Sequence, residues 1–593
     1  MSRISKRVLW KYLPDVYRSA SQGQLIASAP HDEAINQEKN ALVAIYATRH
    51  LKDLLRETGD LSISKFTLKG TPLGLQCSRR KSAHVEYRPL DGSCNGFEGA
   101  NYGDDVQDIR RSVHRNFILP SPRLISTTVI HYNKTIECCS FDGTNLSPRY
   151  VHPLCAQISV PFDDPFYSEL FVRCIPYVRS VSTIRSDCSF GPREQLNQAT
   201  HCLDGSHIYG VDNAKLNQLR QFRNGLLRYS GTSSRMFLPK SSHPMNDCQY
   251  DDQNGTCYIS GDTRVNMVPQ LTLLHTLWLR EHNRLATKLK WINAHWNDEK
   301  LFQEARRIVI ATVQHITYGE WLPIILGSNA IDKPDFPTKA SEVDPRTSNS
   351  FATAAIKFFN SLFDDYIGTY DHHRKLQRLY ILKDYFNKPN ILEDNFNGLI
   401  RGLATQESLK LDLNYVDSIK NHLFQSKGHG YDAISLDIQR GRDHGLPTYT
   451  SFRSLIGYPN VTEFSELEDV IPMKHLNLLR EVYKSPEDID VLVGGMAEKP
   501  LRNSLLGPTF SYIIREQMMR TKNAFTDAQL REIQKVTLAR IFCDNSDDIK
   551  FMQLNVFKQI TGSNPLLSCL GNDIPHLNLK PWMSTDQNVG GRN

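Results

Sequence analysis

The chain has 593 residues, of which 40% are hydrophobic and 23% charged, and a chain of this size and composition buries a large core, which excludes disorder as a global state. Its 70 Lys+Arg against 64 Asp+Glu leave a formal charge of +6 spread over many charges of both signs, so no nucleic-acid or other polyanionic partner is expected. No run approaches the ~18 consecutive apolar residues of a bilayer-crossing helix, so no membrane span is expected.

Residues 1–80 mix helical stretches, Glu33 to Glu57 the clearest, with polar turns, and are expected to form an N-terminal extension. The start is basic but breaks at Lys11, Pro14 and Asp15 before an apolar leader run develops; that suits either a cytosolic protein or a sequence without its true N-terminus. From Tyr87 onward, punctuated loops lead into a long series of helical patterns without a strand run of consequence. The expected class is mainly α, one large unit over 81–580 with little β and a tail over 581–593. The clearest helix begins at Pro269, a proline suited to a first helical turn, and carries Leu271, Leu274, His275, Trp278, His282, Leu285 and Leu289 at helical spacing. Further helices are expected from Gln303 to Trp321 and from Ser350 to Asp364.

The 12 cysteines are an even number but an ordinary share of so long a chain. Sequons begin at Asn133, Asn145, Asn254 and Asn460, and three lie close to cysteines, which favours an oxidising, exported setting over chance.

Three constellations could carry chemistry. His275 and His282 share a helical face, but seven residues at 1.5 Å rise separate them by ~10 Å, too far for one metal ion; satisfied core histidines are the simpler reading, with Arg280, Glu281 and Arg284 anchoring the helix. Thr200, the Cys202 carbonyl, Asp204 and Ser206 put oxygens at alternate positions, as a hard cation such as Ca²⁺ needs, or as a hydrogen-bonded turn does. Gln439-Arg440-Gly441-Arg442-Asp443-His444-Gly445 reads as a short, glycine-bearing loop able to grip propionates or phosphates, or to serve as a buried ion-pair knot.

Taken in order, seven stretches resemble the animal (cyclooxygenase-type) haem peroxidases, including the invertebrate peroxidasin-like and chorion peroxidase-like enzymes: YRPLDGSCN (87–95), SPRLISTT (121–128), LSPRYVHPLCAQI (146–158), CSFGPREQLNQATHCLDGSHIYG (188–210), GDTRVNMVPQLTLLHTLWLREHNRLA (261–286), NGLIRGLATQ (397–406) and DIQRGRDHGLP (437–447). The resemblance implies a large, mainly α-helical domain around haem with Ca²⁺ beside it, H₂O₂ and small electron donors as substrates, a role in the response to oxidative stress, and an extracellular, glycosylated, disulfide-bonded protein. It puts the distal arginine on Arg264, the arginine that pairs with a haem propionate on Arg440, and the Ca²⁺ loop on Thr200, Cys202, Asp204 and Ser206. Asp437 takes the place of the residue that accepts a hydrogen bond from the proximal histidine. It also implies a Cys248–Cys257 disulfide.

Three departures qualify it. The family places a helix with the distal histidine and a calcium-binding aspartate where only His131 to Ile136 stand here, six residues that reach at most about 25 Å and cannot replace several helical turns. His131 is a poor substitute. Asn360 occupies the axial-histidine position and Lys357 that of an arginine beside the haem; an amide oxygen is a poor iron ligand, and His372 and His373 would need a rebuilt helix to reach it. Met267 stands where some members carry a glutamate esterified to the haem, a link the family treats as optional. The expectation is a member impaired in catalysis, a pseudoenzyme that could act as a scaffold or partner of another protein. The alternative is an active secreted peroxidase whose sequence is incomplete or mis-spliced.

Overall fold

The computed structural model describes residues 41–48, 130–131, 134–140, 142–183, 193–197, 199–248, 255–328, 346–426, 429–522 and 530–584. Two long helices form its axis. Helix α1, Pro269–Ile292, starts on its proline and buries side chains nearly all the way round over its first two thirds, as a helix at the centre of a large core must. Helix α2, Asp298–Ile316, is opened by Asn297, whose side chain accepts from the Lys300 amide, with Asp298 and Glu299 in its first turn complementing the helix dipole. It runs on through a wide turn at Thr317–Trp321 into Leu322–Leu326, so the helix expected over Gln303 to Trp321 is found in a longer form.

Downstream lie α3 (Leu392–Leu403), α4 (Ala433–Asp443), α5 (Tyr449–Leu455), α6 (Val491–Ala497), α7 (Pro508–Lys522) and α8 (Leu538–Asn545). Strands occur only as two-stranded antiparallel pairs among the described residues. The longest pair, Tyr366–Tyr370 with Leu376–Ile381, lies on α3, and strands this few and short accord with the expected mainly helical class.

Two expectations need correction. The Gln439–Gly445 run is mostly helix, not loop: Asp432 caps α4 by accepting from the Ile434 and Ser435 amides, and Leu436, Asp437 and Arg440 then fall on one buried face, which outweighs the cost of Gly441 inside a helix. The helix expected from Ser350 to Asp364 is a wide turn, Ser350–Ala354, followed by a tight 3₁₀ stretch, Ala355–Leu362, joined where Ala354 leaves the helical region (φ −120°, ψ −66°).

One large apolar cluster surrounds α1 and α2 and takes in Phe237, Phe302, Phe396 and Phe542; a second holds Phe358, Phe452, Phe510 and Ile514 beneath α6 and α7. Helix α4 lies between them, with Leu436 in the first and Ile438 against the second, so Asp437 sits at the seam. Four disulfides, Cys138–Cys155, Cys139–Cys174, Cys248–Cys257 and Cys543–Cys569, staple the described chain, and the third of them is the pair the resemblance implied. Most of the expected extension lies outside the described residues, but 41–48 is helical and Leu42 packs with Ile136, Leu154 and Val178.

Candidate active site

Three elements bring charge to the seam. On α4, Asp437 and Arg440 stand one turn apart, 1% and 2% exposed, with Arg440 Nη1 donating to Asp437 Oδ1. From the 3₁₀ stretch, Asn360 Nδ2 donates to Asp437 Oδ2 at 2.9 Å and the Lys357 ammonium lies 3.7 Å from Oδ1. One buried carboxylate therefore serves two cations and an amide. Burial pushes the Lys357 ammonium down to about 8; Asp437 works against that shift, while Arg440 and Arg264 add to it.

The third element is the tight turn Thr263–Asn266 that leads into α1. Asp262 caps it by accepting from the Arg264 amide (2.8 Å), and also takes Arg264 Nε (3.0 Å) and Nη2 (2.7 Å) in a two-pronged pair. Nη1 of Arg264 has no partner among the described residues, and 35% of the side chain is open. Arg264 is close enough to Lys357 to lower its proton affinity.

Arg440 Nε and Nη2 are buried with no partner among the described residues. Two orphaned donors on a buried guanidinium are costly unless an anion meets them. The rest of the run is the ion-pair knot: Arg442 pairs with Asp490, Asp443 holds Arg179, Tyr177 and the Ser180 amide, and His444 sits between Ser180 and Thr353. The ion-pair reading of the run thus applies to Arg442, Asp443 and His444.

In the second loop, Thr200 Oγ1 donates to Asp204 Oδ1 (2.7 Å) and lies 3.0 Å from Ser206 Oγ, while the Cys202 carbonyl accepts from the Asp204 amide (3.0 Å). Three side-chain oxygens converge, with one carboxylate among them. Gly205, at φ +74°, makes the turn that lets Ser206 start a short helix, Ser206–Tyr209.

Elsewhere, His282 is a satisfied core histidine, bound by the Tyr209 hydroxyl and the Gly225 carbonyl, each at 2.9 Å. Arg280 reaches Asp547, and Arg284 forks onto Glu281, as anchors do. His372 and His373 are exposed at a hairpin tip, away from the seam. Over 130–135 the chain makes a tight hairpin, Ile130 opposite Thr135 and His131 opposite Lys134. Sequence reasoning missed Asp262, although an aspartate two residues before an arginine at a helix entry signals this cap.

A mainly helical fold that gathers Arg440, Lys357 and Asn360 on one buried carboxylate is what the comparison with known proteins has to account for. A family model described as animal haem peroxidase matches residues 130–557. The chain is 34% identical over 573 residues to a peroxidase of Drosophila melanogaster, covering 84% of this chain and 83% of that one, and 32% identical to a chorion peroxidase of Aedes aegypti, covering 84% and 72%. Among solved structures it resembles peroxidase A of Dictyostelium discoideum, with TM-score 0.64, 27% identity and coverage of 80% and 99%. A fatty acid α-dioxygenase of Arabidopsis thaliana shares the fold at TM-score 0.59 and 17% identity, covering 93% and 94%. The chain belongs to the animal haem peroxidase family.

Haem's fit to these residues divides by region. The orphaned nitrogens of Arg440, with Lys357 beside them, suit the acidic edge of a haem. Asn360 does not suit an iron-ligating role, because it offers only an amide whose nitrogen is committed to Asp437.

Proposed function

We propose that this family member holds haem by its acidic edge, through Arg440 and Lys357, without histidine ligation, and is impaired in the H₂O₂-dependent oxidation of small donors. The observation that carries the reading is the Asn360 to Asp437 hydrogen bond. It occupies the carboxylate that would otherwise orient and polarise an imidazole, and it leaves only the amide oxygen of Asn360, a poor iron ligand. Haem, when bound, supplies the electron-transfer chemistry. This chain's own contribution is cationic: Arg264 Nη1 is available to hold a peroxide oxygen and Lys357 and Arg440 neutralise carboxylates. The loss of the family's distal base costs on the order of 10²–10⁴ in rate.

Several finer assignments belong to the same reading. Thr200, Cys202, Asp204 and Ser206 form a Ca²⁺ loop short of one carboxylate. The peroxidase unit spans 81–580. The protein is extracellular and glycosylated, a reading supported by four disulfides, by the exposed sequon residues Asn145 and Asn460, and by relatives named chorion peroxidase. With turnover impaired, a protein partner becomes the natural object of selection. A fully active enzyme is the second reading, and Arg264 together with Arg440 favours it.

Haem titration of the purified chain, followed at the Soret band and by donor oxidation, tests the proposal. Saturable binding with slow turnover is expected. Histidine-like ligation with donor turnover at rates typical of enzymes, about 1–10³ s⁻¹, would overturn it.

A further inference from the structure

Residues 161–172 form a loop between two short paired strands, Ile158–Ser159 and Cys174–Ile175, and share no residue with the site described above. The base of the loop is fixed. The Val160 amide donates to the Arg173 carbonyl (3.0 Å), the Arg173 amide donates to the Gly143 carbonyl (2.8 Å), and Cys174 is bonded to Cys139. Inside the loop, Asp164 Oδ1 accepts from the Phe166 and Tyr167 amides, at 3.0 and 2.7 Å, and the Tyr167 carbonyl accepts from the Leu170 and Val172 amides, at 3.2 and 3.0 Å. The loop is therefore held in one shape before anything meets it, which lowers the entropy cost of binding.

Four aromatic residues lie in it, and the fold sorts them. Tyr167 is buried, with its hydroxyl donating to the Gly430 carbonyl (3.2 Å), and Phe166 meets the His422 ring edge to face, with centroids 5.2 Å apart. Phe162 and Phe171, each two residues beyond the Val160 to Arg173 bond, turn outward and are 86% and 78% exposed, with Leu170 exposed beside Phe171. Single exposed apolar side chains are ordinary. This pair differs in two ways. Phe171 sits at φ +58°, a left-handed conformation that a bulky residue adopts only at a cost, and its largely exposed ring gains little packing in return. The Arg173 guanidinium lies over the Phe162 ring, 4.7 Å from its centroid, and holds an otherwise free side chain in place.

The uncommitted charges beside the pair are of one sign. Asp164 is spent on the loop's own amides, and Arg173 on the Phe162 ring and the Pro161 and Val172 carbonyls. Asp163 and Glu169 are exposed and make no ion pair or hydrogen bond among the described residues. We propose that this loop docks a different protein, with Phe162 and Phe171 entering an apolar pocket that the partner rims with lysine or arginine side chains. The proposal rests on the partner reading above and not on haem. The two acids disfavour an anionic lipid surface. They also disfavour the cavity between α4 and α6 of a second copy, which is lined by Asp437, Asp488 and Asp490 and has the wrong sign for this loop.

The test uses heptakis(6-amino-6-deoxy)-β-cyclodextrin, an apolar cavity rimmed by ammonium groups, with neutral β-cyclodextrin as control, on the full chain by calorimetry and hydrogen exchange. The cationic cavity should bind at least about ten times more tightly than the neutral one at low salt, lose that preference near about 1 M salt, and protect 161–172 from exchange. Phe162→Ser combined with Phe171→Asn should weaken binding of the cationic cavity about 10-fold or more. Asp163→Asn combined with Glu169→Gln should remove only the preference for the cationic cavity. Asparagine suits the left-handed region, so Phe171→Asn alone should keep or raise the melting temperature. Equal binding by the wild type and the phenylalanine variant, or protection only outside 161–172, overturns the proposal. A melting temperature several degrees lower in Phe171→Asn assigns the ring a packing role and also overturns it. Binding to phosphatidylserine vesicles that the phenylalanine variant loses, or a wild-type dimer in sedimentation that this variant dissolves, overturns it in favour of a membrane or a second copy. Haem titration of these variants should match the wild type; a chain without a Soret band sinks the haem reading and leaves this one standing.

Discussion

Asp437 is the residue on which the site turns, because its single charge is shared by Arg440, Lys357 and Asn360 in a place closed to water. Removing it leaves two buried cations without their counter-ion, a situation that costs about 3–5 kcal/mol. Asp437→Ala should therefore lower the melting temperature of the haem-free chain far more than Asn360→Ala, measurable by calorimetry. Lys357 gives a second prediction. Its proton affinity is lower in the folded chain, about 8, than the ordinary 10.5, so between these values the unfolded chain binds more protons and stability rises with pH. Urea unfolding between pH 8 and 10 should show a gain of up to about 1.4 kcal/mol per pH unit that Lys357→Met lacks. Much of this site was legible residue by residue: Arg264, Asp437, Asn360 and Arg440 were all named by resemblance. Asp262 was not, because its hold on both the amide and the guanidinium of Arg264 depends on the turn Thr263–Asn266.

Among the elements, the packing of α3 on the hairpin depends on glycines. A Cβ on Gly402 would lie 2.3 Å from the Gly368 carbonyl oxygen, and backbone cannot move aside as a side chain can. Gly402→Ala should gain about 0.5–1 kcal/mol of helix propensity and lose more, about 1–3 kcal/mol, to overpacking. The net effect is a lower denaturation midpoint at unchanged slope; a stabilised variant would show that the hairpin yields. Element type was legible where the apolar stripe was long and the entry residue informative, as in α1 with its Pro269. It failed at α4, where a dense run of charge and a glycine imitates a loop while the Asp432 cap and the buried face of Leu436, Asp437 and Arg440 impose a helix. It failed again at Ser350–Ala354 and Ala355–Leu362, since wide and tight turns share nearly the same apolar spacing as an α-helix.

At the scale of the whole molecule, burial holds His275 and His444 down to about 3 and His282 to about 4, well below the usual 6.5. These rings are neutral in the fold, whereas the unfolded chain takes up protons below pH 6.5. Stability is complete above that pH and falls as the solution is acidified toward 4, by about 4 kcal/mol per pH unit near pH 5 if all three contribute fully. Set against the ~5–15 kcal/mol of a typical domain, this predicts cooperative acid unfolding between pH 6 and 4 in a melting-temperature series; a flat profile would mean that the three rings are not buried together. The family and the mainly helical class were legible from motif order, while the placement of Asp437 at the seam of two apolar clusters needed the fold. The measurement that bears most directly on the site is the ligation state of bound haem, read by Soret and electron paramagnetic resonance spectra in the wild-type chain and in Asn360→His. Haem held without a histidine ligand in the wild type, with a histidine signature and tighter retention appearing only in the variant, is the predicted result. A wild-type spectrum already showing stoichiometric histidine ligation and rapid donor turnover would contradict it.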